Sequence, residues 1–122
     1  MNFTLRTQGF RLTEAIDAFA RGQLQRSLRR FSDEVVSADV FLKDVNGPKG
    51  GEDMQVVVRV RLRGRPSIAT ECTRSELYAA IASCTRKTKN AVSNALHKHQ
   101  RVAKQQVRDL HYAQGAVSLP QN

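Results

Sequence analysis

The stretch SELYAAIASCTRKTKNAVSNALHKHQRVAKQQVRDLH, residues 75–111, contains no Gly or Pro. Its apolar residues recur every three to four positions, as at Leu77, Ile81 and Cys84, which predicts one long helix with a single buried stripe. From Leu77 to Arg108 there are seven Lys or Arg residues and no Asp or Glu. Because a solvated helix normally mixes charges of both signs, we expect a polyanion to supply the missing negative charge.

The residues before this helix predict a strand and a shorter helix. Phe3 and Leu5 alternate with polar residues, which indicates a strand that ends at Gln8 and Gly9. Thr13 then has the chemistry of a helix N-cap and is followed by an acidic first turn. The apolar stripe of this helix consists of Ile16, Phe19, Ala20, Leu24, Leu28 and Phe31.

Three segments with two-residue periodicity predict an antiparallel meander between the two helices. The first begins at Val36, the turn-rich residues 46–51 connect it to residues 55–65, and residues 67–72 form the third. Residues 73–75 are expected to cap the long helix. The inward positions are Ala38, Val40 and Leu42, then Val56, Val58, Val60 and Leu62, then Ile68, Thr70 and Cys72.

These elements have the order β-α-β-β-β-α, which predicts an α+β fold. Because each helix has one apolar stripe and each strand one apolar face, both helices should pack on one face of a four-stranded sheet, as in double-stranded-RNA-binding domains. We assign residues 1–111 to this single domain and residues 112–122 to a flexible C-terminal tail.

Arginines concentrate at two places before the long helix. Those on the outward face of residues 55–65 are Arg59, Arg61, Arg63 and Arg65. Like charges two positions apart on a strand are about 7 Å from each other, within the roughly 8 Å Debye length, so they repel until an anion binds. The alternative is that they keep the strand from pairing with other chains. The second group, near the end of the first helix, is Arg21, Arg26, Arg29 and Arg30, where the helix dipole also favours cations.

The chain of 122 residues has a net charge of +9, which predicts an anionic partner. Nucleic acid, an anionic membrane surface and an acidic protein are the candidates, in that order. No apolar run reaches the roughly 18 residues of a membrane span, and the N-terminus lacks the apolar segment of a signal peptide. We therefore expect a cytoplasmic protein.

No motif predicts catalysis, a cofactor or a metal site. His97 and His99 point to different sides of a helix and have no carboxylate or thiol nearby. Cys72 and Cys84 are expected to be buried free thiols, because nothing marks the chain as a disulfide scaffold. We expect a protein that is not an enzyme and uses no cofactor.

Three segments together resemble one protein family: MNFTLRTQGFRLTEAIDAF at the start, VFLK in the second strand, and SIATECTRSELYAAI before and into the last helix. They are similar to the short form of the ribosome hibernation promotion factors, relatives of ribosome-associated inhibitor A (protein Y) once called sigma modulation proteins. The resemblance covers residues 1 to about 100. It implies a protein that binds ribosomal RNA (rRNA) in the small-subunit channel of messenger and transfer RNA, and stops translation under stress or in stationary phase.

Some positions match the family and others depart from it. Residues 76–81, ELYAAI, stand where the family has DMYxAI, and Arg26, Lys43 and Lys87 stand at basic positions. The departures are Asn90 and Asn94, where relatives often carry Arg or Lys, and Thr85 and Thr88, where they carry larger aliphatic residues. Cations at shifted positions, Lys89, Lys98 and Arg101, are expected to compensate.

The expected partners are the small ribosomal subunit and its rRNA, with a ribosome-dimerising factor as a further candidate. The candidate RNA-binding residues are Arg26, Arg29, Arg30, Lys43, Arg59, Arg61, Arg63, Arg86, Lys87, Lys89, Lys98 and Arg101. Two alternatives stay open at this point. The basic surface would equally suit a regulatory protein that binds an acidic protein partner, or a general binder of structured RNA.

Overall fold

Two helices and four strands follow one another in the predicted order, β-α-β-β-β-α. The computed structural model describes the backbone of residues 1–45 and 53–113 and the side chains of residues 1–45 and 53–97. The elements are β1 (Asn2–Gln8), α1 (Glu14–Leu28), a 3-10 turn (Arg29–Phe31), β2 (Val35–Asp44), β3 (Met54–Leu62), β4 (Ile68–Arg74) and α2 (Leu77–Ala113).

The chain divides into two compact units, Met1–Ala91 and Val92–Asn122. The first contains the sheet, α1 and the beginning of α2, and in the second the described residues are helical to Ala113. The division into a domain of residues 1–111 and a tail stays a prediction, and residues 114–122 lie outside the described part of the chain. The predicted turn at residues 46–51 lies outside it as well.

The four strands are hydrogen-bonded in the order β1-β2-β3-β4. β2, β3 and β4 are antiparallel neighbours, as the short connections predict, whereas β1 pairs with β2 in parallel. The parallel pair needs a long crossover, which α1 supplies between the two strands. The result is a mixed sheet in which β1 and β4 are the edges.

One face of the sheet is buried and forms the core together with the helices. The side chains predicted to point inward on β2, β3 and β4 are buried, except that Ile68 is only half-buried, and Val35 at the start of β2 is buried as well. On the helices, the buried positions include Ile16, Ala20, Leu24, Leu28, Ala80, Ile81 and Cys84. The thiol of Cys84 donates to the Val56 carbonyl oxygen at 3.5 Å, so α2 packs directly on β3. The rings of Phe19 on α1 and Tyr78 on α2 meet edge to face at 4.9 Å between centroids.

The two helices begin with different caps. Thr13 is the N-cap of α1, as predicted, and its hydroxyl accepts a hydrogen bond from the Ile16 backbone N–H at 3.2 Å. The prediction that residues 73–75 cap α2 is wrong, because β4 continues to Arg74. Instead the Glu76 carboxylate accepts from the backbone N–H groups of Tyr78 and Ala79 at 2.9 and 2.8 Å. This negative charge also suits the positive end of the helix dipole.

Candidate nucleic-acid interface

The sheet face that the helices do not cover is open to solvent. We call it the open sheet face; its residues are Thr4, Arg6, Asp39, Phe41, Val57, Arg59, Arg61, Ala69 and Glu71. They alternate along the strands with the core positions, as two-residue periodicity requires. The structure therefore places Arg59 and Arg61 where the sequence predicts them, side by side on the exposed side of β3.

Only two of the four arginines predicted on the outward face of residues 55–65 lie on a strand. β3 ends at Leu62, so Arg63 and Arg65 belong to the connection to β4 rather than to the strand. The guanidinium Nε of Arg63 donates to the backbone oxygen of Asp33 at 3.2 Å, and its backbone N–H donates to Glu34 at 2.7 Å. Gly64, with a φ of +68°, then turns the chain. Arg63 is thus engaged in holding this connection against the start of β2.

Strand pairing brings a further cation, Arg6, to the open sheet face. Two cross-strand rows run over this face: Thr4, Asp39, Arg59 and Ala69 in one, and Arg6, Phe41, Val57 and Glu71 in the next. Arg6 is not among the residues predicted to bind RNA, because its only local signal is alternation in a short strand. Its position beside Phe41 follows from the parallel pairing of β1 with β2.

The cations of the open sheet face have no ionic partner among the described residues. The ion pair within 4 Å that the described side chains form is Arg21–Asp17 on α1. Glu71, the carboxylate on β4, accepts a hydrogen bond from the Gln55 amide. Among the described residues, Arg6, Arg59 and Arg61 therefore form no ion pair, although Asp39 lies across the strand pair from Arg59.

A second basic site lies in a groove between the edge strand β4 and α2. It encloses about 420 Å³, and its lining includes Arg74, Ser83, Arg86, Lys87 and Asn90. The ammonium group of Lys87 donates to the Glu71 carbonyl oxygen at 3.0 Å, which holds this side chain across the strand edge. We call this the edge groove. Arg74 is also not among the predicted cations, because only the packing of α2 beside β4 places it in one groove with Arg86.

The arginines near the end of α1 form a third group, and they differ in their surroundings. Arg26, Arg29 and Arg30 are exposed, and the guanidinium of Arg30 lies 4.8 Å from the centroid of the Phe31 ring. Arg21 has an internal role, since it pairs with Asp17 and also donates to the Phe3 carbonyl oxygen at 2.8 Å. Arg21 therefore links α1 to β1.

Four further candidate cations are not assigned to any of these three groups. Lys43 is half-buried on β2, on the outward side next to Gln8 and Gln55 in the strand register. Lys89 is half-buried on α2, and the side chains of Lys98 and Arg101 lie outside the described residues. The candidate cations therefore do not form one patch. Most of those with described side chains occupy the open sheet face, the edge groove and the end of α1, whereas Lys43, Arg63 and Lys89 lie outside these three groups.

Neither the thiols nor the acids of the described residues form a reactive or metal-binding group. Cys72 and Cys84 are both buried free thiols, and burial raises the pKa of Cys84 to about 11. Within the described ranges, no three His, Cys, Asp or Glu side chains come close enough together to hold a metal ion. None of the helices that the structure describes has the length and hydropathy of a bilayer span.

Comparison with known proteins agrees with the resemblance seen in the sequence. The family model described as sigma 54 modulation protein / S30EA ribosomal protein matches residues 3–100. A ribosomal subunit interface protein from Coxiella burnetii has a similar structure, with a TM-score of 0.68, 18% identity and coverage of 80% of this chain and 99% of that one.

The N-terminal domain of Protein Y from Thermus thermophilus is also similar, with a TM-score of 0.60, 24% identity and coverage of 76% of this chain and 93% of that domain. No curated protein sequence matches the chain. The structural likenesses support the predicted fold, and the family match spans most of the residues that build it. The chain therefore belongs to the sigma 54 modulation protein / S30EA ribosomal protein family.

Proposed function

We propose that this protein is a cytoplasmic, non-enzymatic ribosome hibernation factor that binds rRNA in the messenger and transfer RNA channel of the small subunit and blocks translation. Family membership supports a ribosomal partner, and the two similar structures are named for a ribosomal subunit interface protein and for Protein Y. The observation that carries the proposal is that Arg6, Arg59 and Arg61 have no carboxylate within 4 Å among the described residues.

The distribution of cations suits a channel better than a flat surface. Arg59 and Arg61 lie on the open sheet face, whereas Arg26 and Arg86 belong to the helices that cover the opposite face. A protein with cations on both sides can neutralise RNA on two walls at once. Structured RNA is bound largely through phosphate and ribose contacts, which need cations on a rigid scaffold rather than groups that read bases.

Co-sedimentation with purified small subunits through sucrose gradients tests this proposal. If about six phosphates are engaged, the logarithm of the affinity should fall with the logarithm of salt concentration with a slope of about −5. The bound protein should also prevent transfer RNA from binding to the same subunits. Free sedimentation in low salt, or unchanged binding of transfer RNA, would contradict the proposal.

Two controls separate the proposal from the other interpretations of a basic surface. Nuclease treatment of a cell extract should release the protein from its complexes, whereas a complex with an acidic protein partner would survive. An excess of an arbitrary RNA duplex should displace little protein from small subunits. A general binder of structured RNA would instead partition onto the duplex in proportion to its concentration.

A further inference from the structure

The open sheet face contains a concavity of about 420 Å³ that phosphate binding alone does not explain. Its lining includes Thr4, Arg6, Asp39, Phe41, Val57 and Arg59. The volume falls in the range of roughly 300–1,000 Å³ that is typical of small-molecule sites. An aromatic ring, a carboxylate and two guanidinium groups thus line one depression.

Phe41 gives this concavity an apolar surface that no other described ring covers. Phe41 is 36% exposed and lies between Arg6 on β1 and Val57 on β3. Within the described residues, the aromatic pair is Phe19 with Tyr78 and the cation–π contact is Arg30 with Phe31. The Phe41 ring is therefore available for stacking, and exposed aromatic rings beside cations are the usual platforms for unpaired bases.

Asp39 places a carboxylate in this concavity, which distinguishes it from a site built only to bind anions. It is exposed and lies across the β2–β3 pair from Arg59, yet no ion pair or hydrogen bond joins its carboxylate to any described side chain. Asp39 and Phe41 are two residues apart on the same face, a spacing of about 7 Å along the strand, which is within the length of a purine. A carboxylate repels phosphate but accepts hydrogen bonds from the N–H groups of a base.

We infer that this concavity binds an unpaired guanine nucleotide of RNA, an inference that rests on the proposed function because an RNA partner supplies the nucleotide. The guanine ring stacks on Phe41, and the adjacent N1–H and N2–H groups of its Watson–Crick edge donate to the two oxygens of Asp39. Arg6 and Arg59 contact the flanking phosphates. Guanine is favoured because adenine, cytosine and uracil do not present two adjacent donors on that edge.

Fluorescence anisotropy with labelled RNA hexanucleotides tests this assignment on the full chain in low salt. The probes are UUUUUU and the three hexamers that carry a single central G, A or C. We expect the G-containing hexamer to bind about tenfold more tightly than UUUUUU. Asp39→Asn should abolish the preference for G without weakening the binding of UUUUUU, since a negative charge is removed. Phe41→Leu should weaken the binding of all four hexamers by about tenfold.

Asp33→Asn is the matched control for Asp39→Asn, since it removes the same charge from an exposed residue outside the concavity. It should keep the G preference. Equal affinity of the unaltered protein for the G-containing hexamer and UUUUUU would overturn the inference, as would a G preference that survives Asp39→Asn. Displacement of the G-containing hexamer by hexaglutamate, with the same efficiency in Phe41→Leu and the unaltered protein, would show a general anion surface and would also overturn it.

Co-sedimentation with small subunits separates this inference from the proposed function. If the protein binds subunits but shows no G preference, the inference fails and the proposed function stands. If the protein prefers the G-containing hexamer but sediments free of ribosomes, the proposed function fails and the guanine site stands.

Discussion

The hydroxyl oxygens of Thr70 on β4 and Thr88 on α2 lie 2.6 Å apart in the buried layer between the sheet and the helix. Thr88 also donates to the Cys84 carbonyl oxygen at 2.7 Å, so Thr70 is the donor between the two hydroxyls. Thr85, likewise buried, donates to the Ile81 carbonyl oxygen at 2.8 Å. The two buried threonines of α2, Thr85 and Thr88, thus both have hydrogen-bonded hydroxyl groups.

Thr88→Val should destabilise the protein by about 1–3 kcal/mol, because it leaves the buried Thr70 hydroxyl without its short partner. The double variant Thr70→Val with Thr88→Val should lose less stability than the sum of the two single changes. In the double variant neither hydroxyl is left buried without its partner. Urea denaturation of the four proteins in this double-mutant cycle measures the difference. Additive losses would mean that the two hydroxyls do not interact in solution.

Cys84 should make stability fall in alkaline solution. Burial raises its pKa from 9.0 to about 11, so between these pH values the unfolded chain loses the thiol proton and the folded chain keeps it. The contribution of the Cys84 thiol to the free energy of unfolding is fully present below pH 9. It decreases by on the order of 2 kcal/mol as pH rises toward about 11. Urea denaturation of Cys84→Ala across this range should show a flatter dependence, and an identical slope in both proteins would contradict the raised pKa.

Arg59→Gln should reduce the salt dependence of ribosome binding. Loss of one phosphate contact makes the slope of log affinity against log salt less negative by about 1. Arg11→Gln is the matched control, because Arg11 is an exposed cation outside the open sheet face and the edge groove. Co-sedimentation at several salt concentrations measures both slopes. Equal slopes for the two variants would show that Arg59 on the open sheet face does not contact phosphate.

Arg26→Glu combined with Lys87→Glu should abolish ribosome binding and leave the melting temperature nearly unchanged. Both side chains are exposed, and the folded state loses one solvent-accessible hydrogen bond, from Lys87 to the Glu71 carbonyl oxygen. The charge-conserving variant with Arg26→Lys and Lys87→Arg should retain binding. Differential scanning calorimetry supplies the stability, and a large loss there would mean that these side chains are structural.

Glu76→Ala should destabilise the protein by about 1 kcal/mol, because two backbone N–H groups at the start of α2 lose their acceptor. Glu76→Gln, which keeps an acceptor and removes the charge, should cost less. Glu14→Ala provides a comparison in the first turn of α1, where Thr13 is the cap. Equal losses at Glu14 and Glu76 in urea denaturation would show that only the helix dipole is involved.

Sequence patterns predict the type of each helix and strand better than they predict where it ends and which element lies beside it. The sequence predicts the Thr13 cap correctly, because its hydroxyl serves the helix that immediately follows. It does not point to Glu76, because residues 73–75 also have capping chemistry and the extension of β4 to Arg74 depends on pairing with β3. It places Arg63 on a strand for a similar reason, since alternation in the sequence continues past the residue where pairing stops.

Apolar periodicity and residue charge are local properties, so the order of the elements, the buried face of each and the excess of positive charge follow from the sequence alone. Which cations share a surface depends on how the elements pack. Arg6 lies beside Phe41 through the parallel pairing of β1 and β2, and Arg74 and Arg86 line one groove between β4 and α2. Strand register and helix packing join residues far apart in the chain, and their free energy comes from contacts that no short stretch of sequence contains.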